Sequence, residues 1–262
     1  LTSSASSTPV TPEFLNFPLA NRNRRDKTDP NAGRIARTAF EEMRPELQPK
    51  LDALQSGPTT LVAYPERPIP EYFSTQPWIH RTTGGWDGHD YQGFVHGELV
   101  HRTYVSRNYG GNIYGERRAI LAELSQREPR RILEIGTSSG NFTLQLQHEF
   151  QDAEIWGCDL SIRMLEEAQR VGNEQGYAWN LHQLPGEDTG FESASFDLVA
   201  SYIVVHEVPA AITARHLNEA FRLLRPGGEV LFSDAPRYSA LDKAAVRWAD
   251  YEGSGQIWSW KI

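Results

Sequence analysis

The chain has 262 residues and a formal net charge of -8 at pH 7, with 39% hydrophobic and 23% charged residues. This length and composition suit one large domain, or one domain with a substantial appendage, and exclude fibrous and wholly disordered chains. The acidic balance argues against binding to a phosphate backbone, so nucleic acid is not an expected partner. The apolar runs are too short for a bilayer span, and a single cysteine, Cys158, suits a reducing cytoplasm, where we expect the protein to reside.

The N-terminal part is rich in proline and weak in regular patterns. Residues 1–28 run through Ser, Thr and Pro into a basic stretch, which predicts a mobile or extended arm. Pro30 opens the segment AGRIARTAFEEM, whose apolar residues share one helical face, and Pro45 is expected to end or kink that helix. Several prolines and aromatic residues in the stretch 56–79 favour extended packing across another surface over regular elements.

From residue 113 onward, short apolar runs alternate with helical patterns. This alternation predicts an α/β fold with a doubly wound, mostly parallel sheet covered by helices on both faces. We expect this core over residues 113–262, and a helical and aromatic cap over residues 29–112. The predicted strands are RRILEIG, AEIWGCDL, YAWNLHQL, FDLVASYIVV and GGEVLFSD, and the predicted helices are 113–127, NFTLQLQHEF, SIRMLEEAQRVGN and 209–224.

Glycines follow the first predicted strand of the core, and an acidic residue ends the second. In parallel sheets, ligands bind beyond the carboxyl ends of the strands. Gly136 and Gly140 bracket a turn that lets backbone N–H groups approach a ligand closely. Asp159 comes 23 residues after Gly136, near the spacing at which a carboxylate reaches ribose hydroxyls. Together these residues predict a cofactor that contains adenosine.

The same loop disfavours the diphosphate cofactors. A pyrophosphate fingerprint starting at Gly136 would need glycine at positions 138 and 141, where the chain has Ser138 and Asn141, and no P-loop sequence is present. The expected cofactor is therefore adenosine joined to a group without phosphates. Glu134 is placed near the other end of such a molecule, as though to meet an ammonium group.

These motifs resemble those of the class I S-adenosylmethionine-dependent methyltransferases, of the type 11 kind, over about residues 110–236. The resemblance implies that the first loop wraps the amino-acid moiety of S-adenosyl-L-methionine and that Asp159 holds its ribose. It also implies that Leu160 and Met164 pack on the adenine and that Glu187 and Asp188 reach the adenine amine. The expected cofactor contacts are Glu134, Gly136, Thr137, Ser138, Gly140, Asp159, Leu160, Met164, Glu187, Asp188 and Tyr202.

Two features depart from the family pattern. Ser138 stands where the middle glycine of the first loop is usual, so we expect the backbone to differ locally there. After Asp234 only 28 residues follow, too few for the sixth and seventh strands that close one sheet edge in this family. Either C-terminal residues are missing or that edge is completed in another way, and we favour the first explanation.

His206 and Glu207 follow the fourth predicted core strand, where a sulfonium methyl and its acceptor meet in this architecture. A histidine has a pKa of about 6.5, near working pH, so His206 is a candidate general base or substrate contact. The alternative is that it packs against the following helix or orients a loop, and Glu207 is as well suited to anchoring His206 as to chemistry.

The aromatic stretch 78–114 predicts a lid or pocket wall over the acceptor, although ordinary packing explains part of it. The expected acceptor contacts are Trp86, Tyr109, Tyr114, His206 and Glu207. The same stretch and its surroundings carry residues with metal-ligand chemistry, namely His80, Asp87, His89, Asp90, His96 and His101. Their spacings match no compact metal signature, so no metal is expected.

The activity implied by the resemblance is transfer of a methyl group to a small organic acceptor by in-line displacement. The expected partner is that acceptor, with no nucleic acid and no membrane. Two alternatives stay open. The cap would favour a protein-modifying methyltransferase if it formed an open groove, and Ser138 leaves room for a cofactor-binding module without catalysis.

Overall fold

The computed structural model describes residues 32–74, 85–101, 113–125 and 128–234, and the described residues from Ala32 onward belong to one compact unit. Six strands form one sheet in the order β1-β4-β3-β2-β5-β6, and every neighbouring pair is parallel. The strands are β1 (Thr60–Val62), β2 (Arg131–Ile135), β3 (Glu154–Asp159), β4 (Asn180–Gln183), β5 (Phe196–Tyr202) and β6 (Leu224–Ser233). The chain order reverses between β2 and β5, which is where such sheets open a ligand crevice at their carboxyl edge.

Helices lie between the strands and cover both faces of the sheet. They are α1 (Ala32–Ala53), α2 (Glu71–Ser74), α3 (Gln92–Phe94), α4 (Ile113–Leu121), α5 (Asn141–Glu149), α6 (Ile162–Gln175) and α7 (Ala210–Leu223). A π-helical segment, Val95–His101, continues α3, and a 3-10 turn, Val205–Glu207, follows β5. The predicted doubly wound α/β core is confirmed. Within the described ranges, no helix combines the length and apolarity needed to cross a membrane.

Alternate residues of the strands pack into two separate apolar cores, one on each face of the sheet. Ile132 of β2 joins the core under α5 and α6, together with the fully buried Trp179. The next residue, Leu133, joins the core under α7 with Ala220 and Leu223. This alternation follows from the period of two along a strand, and it explains why successive residues of β2 and β5 are buried on both faces of the sheet.

Helix α1 corrects one prediction, because it continues through Pro45 and Pro49 to Ala53. A proline inside a helix costs about 3 kcal/mol. The apolar face outweighs that cost, since Phe40, Leu47 and Leu51 are at most 6% exposed and each fully buried side chain of this kind contributes about 1.5–3 kcal/mol. Of the two expected effects of Pro45, an end or a kink of the helix, the first is therefore wrong.

Strand β1 is a second departure, because it lies within the proline-rich stretch where no regular element is expected. Its residues pair with β4 in the register Thr60↔Asn180 to Val62↔His182. The preceding residue, Thr59, anchors the strand: its N–H donates to Asn173 Oδ1 at 2.8 Å and its hydroxyl donates to the Tyr177 carbonyl at 2.7 Å. The sheet therefore takes one edge strand from the predicted cap region. The edge beyond β6 lies outside the described residues.

Candidate functional site

The loop between β2 and α5 crosses the carboxyl end of β3. The N–H groups of Gly136 and Thr137 both donate to the Cys158 carbonyl, at 2.8 and 3.1 Å. Gly136 has φ +79°, and a Cβ there would lie 2.3 Å from the Val204 side chain, so only glycine fits. Ser138 has φ +49°, in the left-handed region that favours glycine. A residue with a side chain is strained there by roughly 1–3 kcal/mol.

Asp159 connects this loop to the start of α6. Its Oδ2 accepts the Ser138 N–H and its Oδ1 accepts the Ser161 N–H, both at 2.8 Å. Burial raises the pKa of Asp159 to about 6, and the negative charges of Asp87 and Glu207 also raise it. The hydrogen bonds from the two backbone N–H groups lower the pKa but do not outweigh burial. Asp159 is therefore largely ionised at neutral pH. Ser161 caps α6, since its hydroxyl accepts the Met164 N–H at 3.1 Å.

Glu134 lies beneath the loop, 1% exposed, and not on its surface. Its carboxylate accepts a hydrogen bond from the Thr143 hydroxyl on α5. Burial raises the pKa of Glu134 to about 8, although the Thr143 hydrogen bond and the charge of Arg117 oppose this. Its contact with an ammonium group stays a prediction. Tyr202 is also buried: its ring stacks on Phe142 at a centroid distance of 4.8 Å.

The raised pKa of Glu134 predicts a pH-dependent stability. The folded protein holds a proton on Glu134 up to about pH 8, whereas the ordinary pKa is 4.5, so unfolding releases that proton between these values. We therefore expect the free energy of unfolding to fall as pH rises from 6.5 to 8, by up to about 1.4 kcal/mol per pH unit for this group. Urea unfolding without cofactor measures the slope, and Glu134→Gln should make it shallower. Equal slopes in the two proteins would contradict the assignment.

The residues expected near the adenine separate into a buried and an exposed group. Met164 is buried in the first turn of α6, and Leu160 is half-buried beside it. Glu187 is engaged on two sides: its Oε2 accepts from Tyr72 Oη at 2.9 Å and lies 3.3 Å from His216 Nε2.

Asp188, next to Glu187, is exposed. Arg67 Nη1 donates to the Asp188 carbonyl at 2.8 Å, and Arg67 Nη2 lies 3.5 Å from its carboxylate. A cavity of about 460 Å³ lies here, between the segment 67–72 and the start of α7. Sequence reasoning missed Arg67 and Tyr72, since nothing local marks contacts between residues more than one hundred positions apart.

The acceptor side of the predicted site is built by the turn after β5 and the end of β6. His206 Nδ1 lies 2.7 Å from Asp234 Oδ1, and the His206 N–H donates to Asp234 Oδ2 at 3.2 Å. The other ring nitrogen, Nε2, lies 3.7 Å from Glu207 Oε1. Burial opposes a charge on this imidazole, but the Asp234 hydrogen bond and the two carboxylate charges outweigh it and hold the pKa of His206 above its ordinary value.

Part of the predicted lid lies directly on the loops after β2 and β3. Asp87 Oδ1 accepts from the Ser161 hydroxyl at 2.6 Å, and the adjacent Trp86 packs edge-on against His96 at 4.9 Å. Gly97 is so close to the β2–α5 loop that a Cβ on it would lie 2.8 Å from Ser139 Oγ.

Other residues of the predicted lid and metal set have different positions. Tyr109 and His80 lie outside the described residues, and so does the side chain of Tyr114 in α4. Among the described residues, no three His, Cys, Asp or Glu side chains form a group that could hold a metal ion.

The two glycine caps of the core helices give a matched test of the loop. Gly140 and Gly176 have φ of +78° and +74°, so alanine at either position meets the left-handed cost of about 1–2 kcal/mol. A Cβ at Gly176 meets nothing within 4 Å, whereas one at Gly140 lies 3.0 Å from Ala168 Cα. We expect Gly140→Ala to destabilise the protein by about 1–3 kcal/mol more than Gly176→Ala in urea unfolding. Equal losses would show that the loop relaxes freely.

Part of this chain is similar to known proteins. Residues 132–228 match the family model described as a methyltransferase domain. The chain is 31% identical over 134 residues to demethylmenaquinone methyltransferase of Deinococcus radiodurans, covering 51% of this chain and 55% of that protein. It is 29% identical over 143 residues to the tRNA N(3)-methylcytidine methyltransferase Mettl2 of Drosophila melanogaster, covering 52% and 44%.

A third relative, malonyl-[acyl-carrier protein] O-methyltransferase of Legionella pneumophila, is 33% identical over 108 residues, covering 40% of this chain and 36% of that protein. The chain spans about half the length, or less, of these three relatives. Among solved structures, a phosphoethanolamine N-methyltransferase 2 of Haemonchus contortus has a TM-score of 0.49 and 21% identity, covering 66% of this chain and 42% of that one.

Proposed function

Because the chain belongs to the class I S-adenosylmethionine-dependent methyltransferase family, whose cofactor is S-adenosyl-L-methionine, we propose that it methylates a small organic acceptor at the carboxyl edge of its sheet. The observation that carries this proposal is the position of Asp159. Its carboxylate ends β3 and touches the glycine loop through the Ser138 N–H. This hydrogen bond holds the carboxylate beside the loop. A ribose that binds next to the loop would therefore lie within reach of the carboxylate.

The residues present fit this cofactor. An ionised carboxylate has about four acceptor positions. Backbone N–H groups of Ser138 and Ser161 use two of them on Asp159, which leaves acceptor capacity for a ribose diol. The nearby carboxylates of Asp87 and Glu207 add negative charge beside Asp159, which suits a cationic ligand and opposes a phosphate-bearing one. Leu160, Met164 and Glu187 would hold the adenine.

When bound, the cofactor supplies an electrophilic methyl group on a sulfonium. The chain aligns the acceptor with that group and excludes water, and alignment alone accounts for roughly 7–11 kcal/mol of barrier lowering. We assign His206 as the residue that accepts a proton from the acceptor. Trp86, Tyr109, Tyr114 and Glu207 are proposed as acceptor contacts on the strength of the sequence pattern.

Three observations support a small acceptor. The net charge of -8 disfavours a nucleic-acid substrate. The lid residues Trp86 and Asp87 lie against the loops that carry the proposed cofactor contacts, which favours an enclosed site. The names of the Deinococcus and Legionella relatives specify a quinone precursor and an acyl-carrier conjugate, whereas the Drosophila relative is named for tRNA. A cytoplasmic location belongs to the same proposal and is supported by the single, buried Cys158.

The proposal is tested in two stages. Calorimetric titration of the full chain with S-adenosylmethionine and with S-adenosylhomocysteine should show binding of both. The protein is then incubated with methyl-labelled S-adenosylmethionine and cell extract, and the label is measured in the organic-soluble, tRNA and protein fractions. We expect label in the organic-soluble fraction. Label confined to tRNA or protein would overturn the small acceptor, binding without any transfer would indicate a non-catalytic module, and absence of binding would overturn the whole proposal.

A further inference from the structure

A half-buried carboxylate holds the histidine of the acceptor side at two points. Asp234, directly after β6, accepts the His206 backbone N–H through one oxygen and contacts ring Nδ1 through the other, at 3.2 and 2.7 Å. The two contacts fix both the position of the turn and the orientation of the ring. A hydrogen bond from Nδ1–H to a carboxylate also selects the tautomer in which Nε2 is the basic nitrogen.

The same turn lies beside the proposed cofactor loop. Val204, two residues before His206, packs so closely on Gly136 that a Cβ there would lie 2.3 Å from its side chain. Glu207 is close enough to Asp159 for its negative charge to raise the pKa of that carboxyl. His206 therefore sits between the end of β6 and the groups proposed to bind the cofactor, with its side chain 32% exposed.

From this arrangement we infer that Asp234 is a positioning residue that prepares His206 to take a proton from a phenolic or enolic hydroxyl of the methyl acceptor. The inference rests on the proposed function and names the acceptor class that this function leaves open. The charged groups that act on the His206 ring among the described residues are Asp234 and Glu207, both anionic. Both stabilise the imidazolium that forms when Nε2 accepts a proton.

Acidity selects this acceptor class. The pKa of a phenol, about 10, is about 3.5 units above the pKa of an ordinary histidine. The raised pKa of His206 reduces this difference. An aliphatic alcohol has a pKa close to that of water, about 15.7, and is too weak an acid for efficient proton transfer to an imidazole. A neutral amine already carries a lone pair and needs no base before it attacks. A histidine held in this way therefore matches a hydroxyl of intermediate acidity.

The step balances in atoms and charge. The acceptor O–H bond breaks, its proton moves to His206 Nε2, and its electron pair remains on the acceptor. The acceptor then uses an electron pair, from that oxygen or from the ring carbon conjugated with it, to form the bond to the methyl carbon. The carbon–sulfur bond breaks and its pair stays on sulfur. His206 afterwards releases its proton to solvent, and attack through carbon is completed when the ring proton leaves.

The experiment compares the wild type with Asp234→Asn on simple phenols and hydroquinone, and on nitro-substituted phenols that are already ionised near neutral pH. We expect Asp234→Asn to lower kcat roughly 100-fold on the weakly acidic phenols and less than about 10-fold on the nitrophenols. The acidic limb of the kcat/KM profile should move to lower pH, and Asp234→Glu should restore part of the rate. Asp152→Asn, an exposed carboxylate in the turn before β3, serves as the matched control.

Calorimetric titration with S-adenosylhomocysteine separates this inference from the proposed function, because Asp234→Asn should bind it as the wild type does. A loss that is equal for all phenols, or an unmoved pH profile, would overturn the role of Asp234. Cofactor binding without turnover of any hydroxyl acceptor would overturn the acceptor class. If Asp234→Asn does not fold, His206→Gln provides the same test, since it should show the same dependence on acceptor acidity.

Discussion

Replacing Asp159 with alanine is expected to weaken the binding of S-adenosylmethionine by about 100-fold or more. Hydrogen bonds to a charged group contribute roughly 1.5–3 kcal/mol each, and the proposed ribose contact has two of them. The substitution also releases the N–H groups of Ser138 and Ser161, which the carboxylate holds at 2.8 Å, and so loosens the loop on which the cofactor rests. Calorimetric titration measures the loss directly.

Two further variants make this result interpretable. Asp159→Asn keeps the size of the side chain and one acceptor oxygen, so we expect it to fold and to lose an intermediate amount of affinity. Asp152→Ala removes an exposed carboxylate in the turn before the same strand and should leave affinity unchanged. Wild-type affinity in Asp159→Ala, with an unchanged unfolding curve, would show that the ribose binds elsewhere.

Replacing Arg170 with methionine is expected to destabilise the protein by about 3–5 kcal/mol. Arg170 Nη1 donates to Glu167 Oε2 at 2.8 Å, and the side chains of both residues are at most 4% exposed. Burial raises the pKa of Glu167 to about 7 even with this partner present, and the charge of Glu98 adds to the effect. Removal of the guanidinium leaves a buried carboxylate without its partner, which is the costly way to break a buried pair.

The same helix provides the control for this prediction. Arg163 pairs with Glu166 at the same spacing of three residues, at 3.1 Å, but its side chain is 33% exposed. Arg163→Met should therefore cost only about 0–1 kcal/mol. Urea unfolding of both variants gives the comparison. Similar losses would show that the buried pair contributes no more than an exposed one.

The positions of the core strands and of the glycine turn between β2 and α5 could be predicted because local patterns determine them. Runs of apolar residues marked β2, β3 and β5, and the glycines before α5 marked the turn. Ser161 could be identified as a cap because its role depends on Met164, three residues away. In each case the determining residues lie within one element or one turn of it.

Other features depend on contacts between distant parts of the chain. Pro45 is compatible with a helix only because the apolar face of α1 is buried by residues outside it. Tyr72 meets Glu187 across 115 positions, and His206 meets Asp234 across 28. Position after a strand identified His206 as a candidate, but no local signal named its partner. Sequence reasoning therefore named His206 as a candidate and missed Asp234, which contacts it.

The edge strand β1 has a consequence for the order of folding. Thr60 pairs with Asn180, so about 120 residues are synthesised between the strand and its neighbour in the sheet. Closing so long a loop is slow, so we expect strands β2 to β5, whose pairs have shorter separations, to pair first. Until β1 docks, the outer edge of β4 exposes unpaired N–H and C=O groups. Docking also brings the following segment, with Tyr72, to Glu187. We therefore expect late docking of β1 to complete the adenine side of the proposed site.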